Sequence, residues 1–169
     1  MAFGATSIKG LALRFLARRE HSRVELERKL RRRIEDSAED SADDGKAGSS
    51  EGRAEVRIAA ALDDLVAKDL LSDRRTAESV LRTQGQKFGV RRLKQTLLSK
   101  GLEADLVTST LAQARLTELQ RAQDIWRRRF GQPAGDAKDR ARQIRFLAGR
   151  GFDFETIRSV VQAKEEDGA

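Results

Sequence analysis

The chain has 169 residues, 36% of them charged and 38% apolar, with a formal net charge of +7. It has no Cys and no Tyr, and only one His and one Pro, so a disulfide framework, a thiolate metal set and a cysteine nucleophile are excluded. Leu, Ala and Arg supply much of the rest and Pro133 is the single proline, a composition that favours helices, and strand-like alternation is lacking; the predicted class is all-α.

The short apolar run Leu11–Ala17 is interrupted by Arg14, too short and too charged for a signal peptide or a membrane span, which predicts a cytoplasmic protein with no membrane partner. Ser22-Arg23-Val24-Glu25 has the form of a capping box and opens a helix carrying Val24, Leu26 and Leu30, which Arg31-Arg32-Arg33 is expected to end. The stretch from about 36 to 52 has no apolar period and reads as a mobile acidic insertion. Between Ile34 and Arg53 seven acids face Lys46 and Arg53, a net of −5, so the remainder of the chain carries +12. Such a surface attracts polyanions or an acidic protein face, although charge on helical proteins more often serves solubility.

Beyond the insertion, Ile58, Leu62, Leu65 and Val66 fall on one helical face. Asp73 is placed to cap a helix bearing Ala77, Val80 and Leu81. Gly85–Gly89 reads as an interhelical turn before Val90, Leu93 and Leu97, with Lys100-Gly101 as a left-handed stop. Val107 and Leu111 follow, then Leu119, Trp126 and Phe130, a break at Gly131–Gly135, and a helix with Ile144 and Leu147 stopped by Arg150-Gly151. Asp153 can cap the last helix, with Ile157 and Val161 on its apolar face.

These pieces repeat. Lys100-Gly101-Leu102 returns as Arg150-Gly151-Phe152, and Leu97, Val107 and Leu111 match Leu147, Ile157 and Val161. Ser22, Leu26 and Leu30 match Gly89, Leu93 and Leu97 at a longer offset, as an insertion in the first copy would produce. The expected architecture is three tandem three-helix units, 8–71, 72–114 and 115–164, in an elongated, curved arrangement.

Little in this pattern supports catalysis. His21 stands alone at a helix start, where a surface or capping role is expected; Gly85–Gly89 lacks the spacing of a phosphate loop, and Asp63-Asp64 diverge on their helix. No enzyme, cofactor or metal is expected. The cations are more informative. Lys87, Arg91 and Lys94 at i, i+4 and i+7 predict a cationic stripe opposite the apolar face; Arg92 and Lys100 lie nearby, Arg127, Arg128 and Arg129 nearly end one helix, and Arg140, Arg142, Arg145 and Arg150 load another. These are the candidate contacts to a filament or to phosphate, with a direct, weakly sequence-selective DNA-binding protein as the competing reading.

The ordered series resembles the RecX family, regulators of RecA recombinase. The first unit is similar to the family pattern in Ala12–Ser22, Glu25-Leu26 and Lys29-Leu30, the joint in Leu65–Asp73, the second unit in Gly89–Leu93 and Leu97–Leu102, and the third in Arg145–Phe154 with Ile157 and Val160. The chain departs from the family at Asp69, where members often carry glycine, at Val90, where proline is common, and in the acidic insertion. The resemblance implies a tandem three-helix-repeat protein that binds RecA and the RecA–single-stranded-DNA filament, and that restrains strand exchange, ATP hydrolysis and co-protease activity in DNA repair and recombination; a monomer is expected.

Overall fold

In the structure, a computed structural model, residues 7–39 and 47–162 are described. They form nine helices and no strand: α1 (Ile8–Leu16), α2 (Arg23–Glu39), α3 (Ala47–Ala67), α4 (Asp73–Gln84), α5 (Val90–Ser99), α6 (Ala104–Leu116), α7 (Glu118–Arg129), α8 (Ala137–Gly149) and α9 (Phe154–Gln162). In chain order these are three successive triplets, and the expected helix faces are largely those that are buried. The described residues divide into two compact units at Thr76/Ala77, with Lys100–Leu102 belonging to the first.

The first unit closes over Ala12 of α1, Leu26 and Leu30 of α2, and Ile58, Leu62 and Leu65 of α3, with Leu71 beneath them. Val66 does not join the face predicted for it and stays half exposed; one residue past Leu65, it lies about 100° further round the helix. The acidic stretch is also shorter as a break than expected. α2 runs through Glu39 and α3 begins at Ala47, so Asp36–Glu39 and Ala47–Gly52 are helical, and only 40–46 of the expected insertion lie outside the described residues. Extending a helix already nucleated by its packed half costs less than starting one, so these pieces continue α2 and α3 although Gly48 and Gly52 are poor helix formers. Arg31–Arg33 therefore sit within α2 rather than at its end.

The second unit buries Val90, Leu93 and Leu97 of α5 and Val107, Leu111 and Ala114 of α6. Its other cluster joins Ala122 and Trp126 of α7, Leu147 of α8, Phe152, and Ile157, Val160 and Val161 of α9. The indole N–H of Trp126 donates to Gln143 Oε1 at 2.8 Å in the interior, which satisfies its polar edge and makes it a core residue. Leu119, expected on the same face, is 44% exposed. The buried position one residue earlier belongs to Glu118.

Helix starts are built alike in α2 and α5. A new helix leaves its first N–H groups without partners. At α2, Ser22 Oγ accepts from Glu25 N–H at 3.1 Å and donates to the Lys100 carbonyl, and Asp73 Oδ1 accepts from Arg23 N–H at 2.8 Å. Asp73 thus caps α2, while α4, predicted to be capped by it, is served by Ser72 Oγ, which accepts from Arg75 N–H at 3.3 Å. At α5, Glu118 Oε1 accepts from Val90 N–H at 2.8 Å, and the Arg150 and Gly151 carbonyls accept from Gly89 and Arg91 N–H at 2.9 and 3.1 Å. In both cases the acid opens the next triplet, and the flanking turn is a glycine stop, Gly101 or Gly151, with φ of +75° or +79°. A Cβ on Gly101 would lie 2.6 Å from Val24 Cβ, and one on Gly89 or Gly151 would overlap backbone of the opposing segment. The turn after α3 uses Asp69 at φ +55°, a left-handed conformation that Asp tolerates, and Arg75 donates to its carboxylate at 2.8 Å.

Buried charge completes these joints. Arg121 donates to the Gly85, Phe88 and Ala114 carbonyls and to Thr117 Oγ1, tying α7 to the turn before α5. Burial lowers its pKa, with Glu118 opposing, and burial raises that of Glu118 against the bond from Val90. In the first unit the Glu25 carboxylate turns to Arg19 and to Lys100 Nζ (2.8 Å) instead of completing the capping box. Burial pushes its pKa up, but the bonds from Arg19 and Lys100 outweigh this and hold it at about 2 against an ordinary 4.5.

Two predictions follow from these joints. Gly151→Ala places a Cβ against Arg92 at positive φ and is expected to cost about 2–4 kcal/mol. Gly149→Ala, within a helix and facing open space, is expected to stabilise by about 0.5–1 kcal/mol; urea denaturation of both variants measures the contrast. For Glu25 the depressed pKa gives stability that is full above about pH 4.5 and lost as pH falls towards 2. Glu25→Gln should cost about 2 kcal/mol at pH 7 and flatten the acid limb of a pH-dependent denaturation series.

Candidate functional site

The predicted cations come from three places and meet different fates. Lys87 lies in the turn before α5, since the helix starts only at Val90, so the expected stripe is a helical pair, Arg91 and Lys94, preceded by a turn lysine. All three side chains are exposed. None takes part in an ion pair among the described residues, which leaves their charge to solvent or to a partner.

Arg92 differs from its neighbour. Its guanidinium stacks 4.1 Å over the Phe88 ring and donates to the Gly149 carbonyl at 3.2 Å, fastening α5 to the end of α8. Arg150 answers from the other side, donating to the Lys87 carbonyl at 3.2 Å and lying 4.8 Å from the Phe146 ring centre. Both serve the joint first. Lys100 leaves the set of open cations altogether: its ammonium is bonded to Glu25, with both side chains only 17% exposed. The i, i+n logic of a single helix could not show this, because Glu25 is 75 positions away.

On α7 and α8, Arg127 pairs with Asp124 at 3.1 Å and Arg142 with Asp139 at 3.2 Å, both at the surface, where such pairs are weak and yield readily to a better partner. Arg129 and Arg142 flank the Phe130 ring, which meets Phe146 edge-on at 5.3 Å. Arg128 and Arg145 are exposed and, among the described residues, form no ion pair; Arg140 is exposed and has a partner.

Between α5 and the end of α8 lies a cleft of about 670 Å³, lined by Arg91, Arg92, Gln95, Thr96, Ser99, Ala148, Gly149 and Gly151. Guanidinium, amide and hydroxyl donors on one wall suit an anionic group held by charge-assisted hydrogen bonds. The polar wall Gln95-Thr96-Ser99 was not singled out from sequence, because neutral side chains on a helix give no periodic signal. Glu118 and Arg121 were missed for a related reason, as buried charge on an amphipathic helix reads as solvent-facing. The described residues hold no group of three or more His, Cys, Asp or Glu side chains placed to bind a metal.

His21 is not at the surface. It is 1% exposed, packs edge-on to Phe15 at 6.2 Å, and places Nδ1 3.3 Å from Glu25 Oε1 without the angle of a hydrogen bond. Burial and then the neighbouring Arg19 push its pKa down, against Glu25, so the neutral imidazole is part of the core.

Among the described residues no helix is long and apolar enough to cross a membrane. Three family models match the chain in order: RecX, first three-helix domain, over residues 9–40, the second over 72–111, and the third over 117–161. Regulatory protein RecX of Leptothrix cholodnii is 45% identical over 161 residues, covering 95% of this chain and 91% of its own. That of Herminiimonas arsenicoxydans is 38% identical over 167 residues, covering 99% of each. The crystal structure of RecX from Lactobacillus salivarius superposes with a TM-score of 0.68 at 20% identity, over 94% of this chain and 95% of that one, a likeness of fold. Three matched domains in the observed order and close relatives along nearly the whole length place the chain in one family: it belongs to the RecX family of regulatory proteins.

Proposed function

We propose that this RecX protein regulates RecA by binding RecA and its filament on single-stranded DNA, and that it restrains ATP hydrolysis, strand exchange and co-protease activity by occupancy, without catalysis of its own. The observation that carries this reading is the set of exposed cations without a carboxylate partner among the described residues, Lys87, Arg91, Lys94, Arg128 and Arg145, in a chain of this family. A cation left unpaired while its neighbours are tied into joints is available to an acidic protein face or to phosphate. In this reading the three triplets, 8–71, 72–114 and 115–164, act as successive contact modules in the cytoplasm. The second and third bridge neighbouring filament protomers and so block productive growth, and the protein acts as a monomer.

A second reading, a weakly sequence-selective DNA-binding protein, rests on the same five cations and on the donor-lined cleft beside Arg91. The two readings part on affinity. Filament regulation requires tighter binding to RecA–DNA than to bare single strands at one salt concentration; the DNA-binding reading requires the reverse.

The expected outcome is that stoichiometric protein in low salt lowers the single-stranded-DNA-dependent ATPase of RecA; no change would remove the proposal. In the triple variant Lys87→Ala/Arg91→Ala/Lys94→Ala, inhibition should weaken while the thermal midpoint stays unchanged. Where those three cations meet phosphate, the dependence of log K on log salt should become shallower by about 2. An unchanged slope with weakened inhibition assigns them to RecA itself.

A further inference from the structure

The first unit carries a groove of about 440 Å³ formed by α1, α2 and α3. Ile8, Leu11, Ile34 and Ala54 give it an apolar floor, and Arg14, Arg33 and Arg57 stand at its rim. All four floor residues remain partly open to solvent and the three arginines are exposed. Several other cations of this unit are already paired. Elsewhere on it, Lys9 and Lys68 share Asp64, Arg23 holds Asp63, Arg31 holds Glu27 and Glu55, and Lys100 holds Glu25. Arg14, Arg33 and Arg57 come from three different helices, converge on one apolar opening, and have no carboxylate among the described residues.

We propose that this groove is a docking site for an acidic peptide segment that carries apolar anchor side chains. The occupant must do two things that no simpler ligand does together. Its apolar side chains cover the floor, for which the volume lies within the ordinary range of binding pockets. Its carboxylates meet three planar guanidiniums, each able to bind one in bidentate fashion. A nucleic-acid backbone supplies the charge but nothing aliphatic for the floor. A lipid surface demands a projecting apolar face that can enter the acyl boundary, and this one is concave. An amphipathic segment with anchors at i and i+3 or i+4 and acids beside them matches both features. The site is separate from the cations of the second unit, and it gives the first unit a recognition role of different chemistry.

The test uses the full chain with labelled Ile, Leu and Ala methyl groups, titrated with a pool of synthetic peptides of about fifteen residues. The peptides carry Glu around Leu, Ile or Phe at helical spacing; a second pool keeps every Glu and replaces each apolar residue with Ser. The expected result is that the methyls of Ile8, Leu11, Ile34 and Ala54 shift with the first pool. Binding should be about tenfold or more weaker with the Ser pool, and similarly weaker in Arg14→Gln/Arg33→Gln/Arg57→Gln, whose fold is checked by circular dichroism. Equal binding of the two pools would reduce the groove to unspecific anion attraction and overturn the proposal. So would undiminished binding in the triple variant, no methyl shifts with the first pool, or shifts produced by anionic phosphatidylglycerol vesicles and not by the peptides.

Discussion

A helix begins with N–H groups that its own turn cannot satisfy, and at α2 and α5 these groups are met by acceptors far along the chain. At α2 the distant acceptor is Asp73, beside the adjacent cap Ser22, whose hydroxyl itself bonds the Lys100 carbonyl; at α5 they are Glu118 and the carbonyls of Arg150 and Gly151. Each joint needs an acid at the first position of a helix and a glycine in the left-handed conformation, so that backbone can approach backbone. The glycines at 101 and 151 are fixed by this approach as much as by their dihedral angle, since any Cβ there would meet Val24 or Arg92. The rest of each unit follows from that anchoring. Val90, Leu93 and Leu97 can face inward together because the start of α5 is held from two sides.

The apolar period disclosed eight of the nine described helices, all but α1, and most of the core, because Leu26, Leu30, Leu62, Leu93, Leu97 and Leu147 recur at a spacing that only a helix puts on one face. The glycine stops disclosed the repeat. What the period could not show is where polar groups go when they are buried. Asp73 looked like a cap for its own helix and caps another, and His21 looked like a surface residue and lies in the core beside Phe15. Glu118 and Arg121 were not singled out, and both lie buried on α7. The outcomes for Asp73, Glu118 and Arg121 depend on partners tens of residues away, and local spacing carries no information about such partners. The end of α2 and the start of α3 were underestimated for another reason: a stretch without apolar period has no packing signal, yet a helix already begun extends into it at little cost.

The candidate surface was legible as a composition and only partly as a map. Twelve cations were candidates from the sequence; the structure sorts them by what their charge already does. Lys100 is spent on Glu25, Arg92 and Arg150 clasp the α5–α8 joint, and Arg127 and Arg142 hold surface carboxylates. Lys87, Arg91, Lys94, Arg128 and Arg145 are exposed and form no ion pair among the described residues. Sequence treats all arginines alike, and the difference between a fastened guanidinium and an open one arises only when distant segments meet.

The Gly89–Gly151 contact has a consequence for how such a protein can change over time. Because α5 is moored through main-chain atoms and through Arg92, the side chains at Arg91, Lys94 and Gln95 contribute little to holding the fold and are released from that duty. A lineage could recolour this face, exchanging charge for hydroxyl or amide, without first finding a compensating change in the interior. The mooring separates heritable scaffold from adjustable surface, so partner preference and folding can drift on independent clocks.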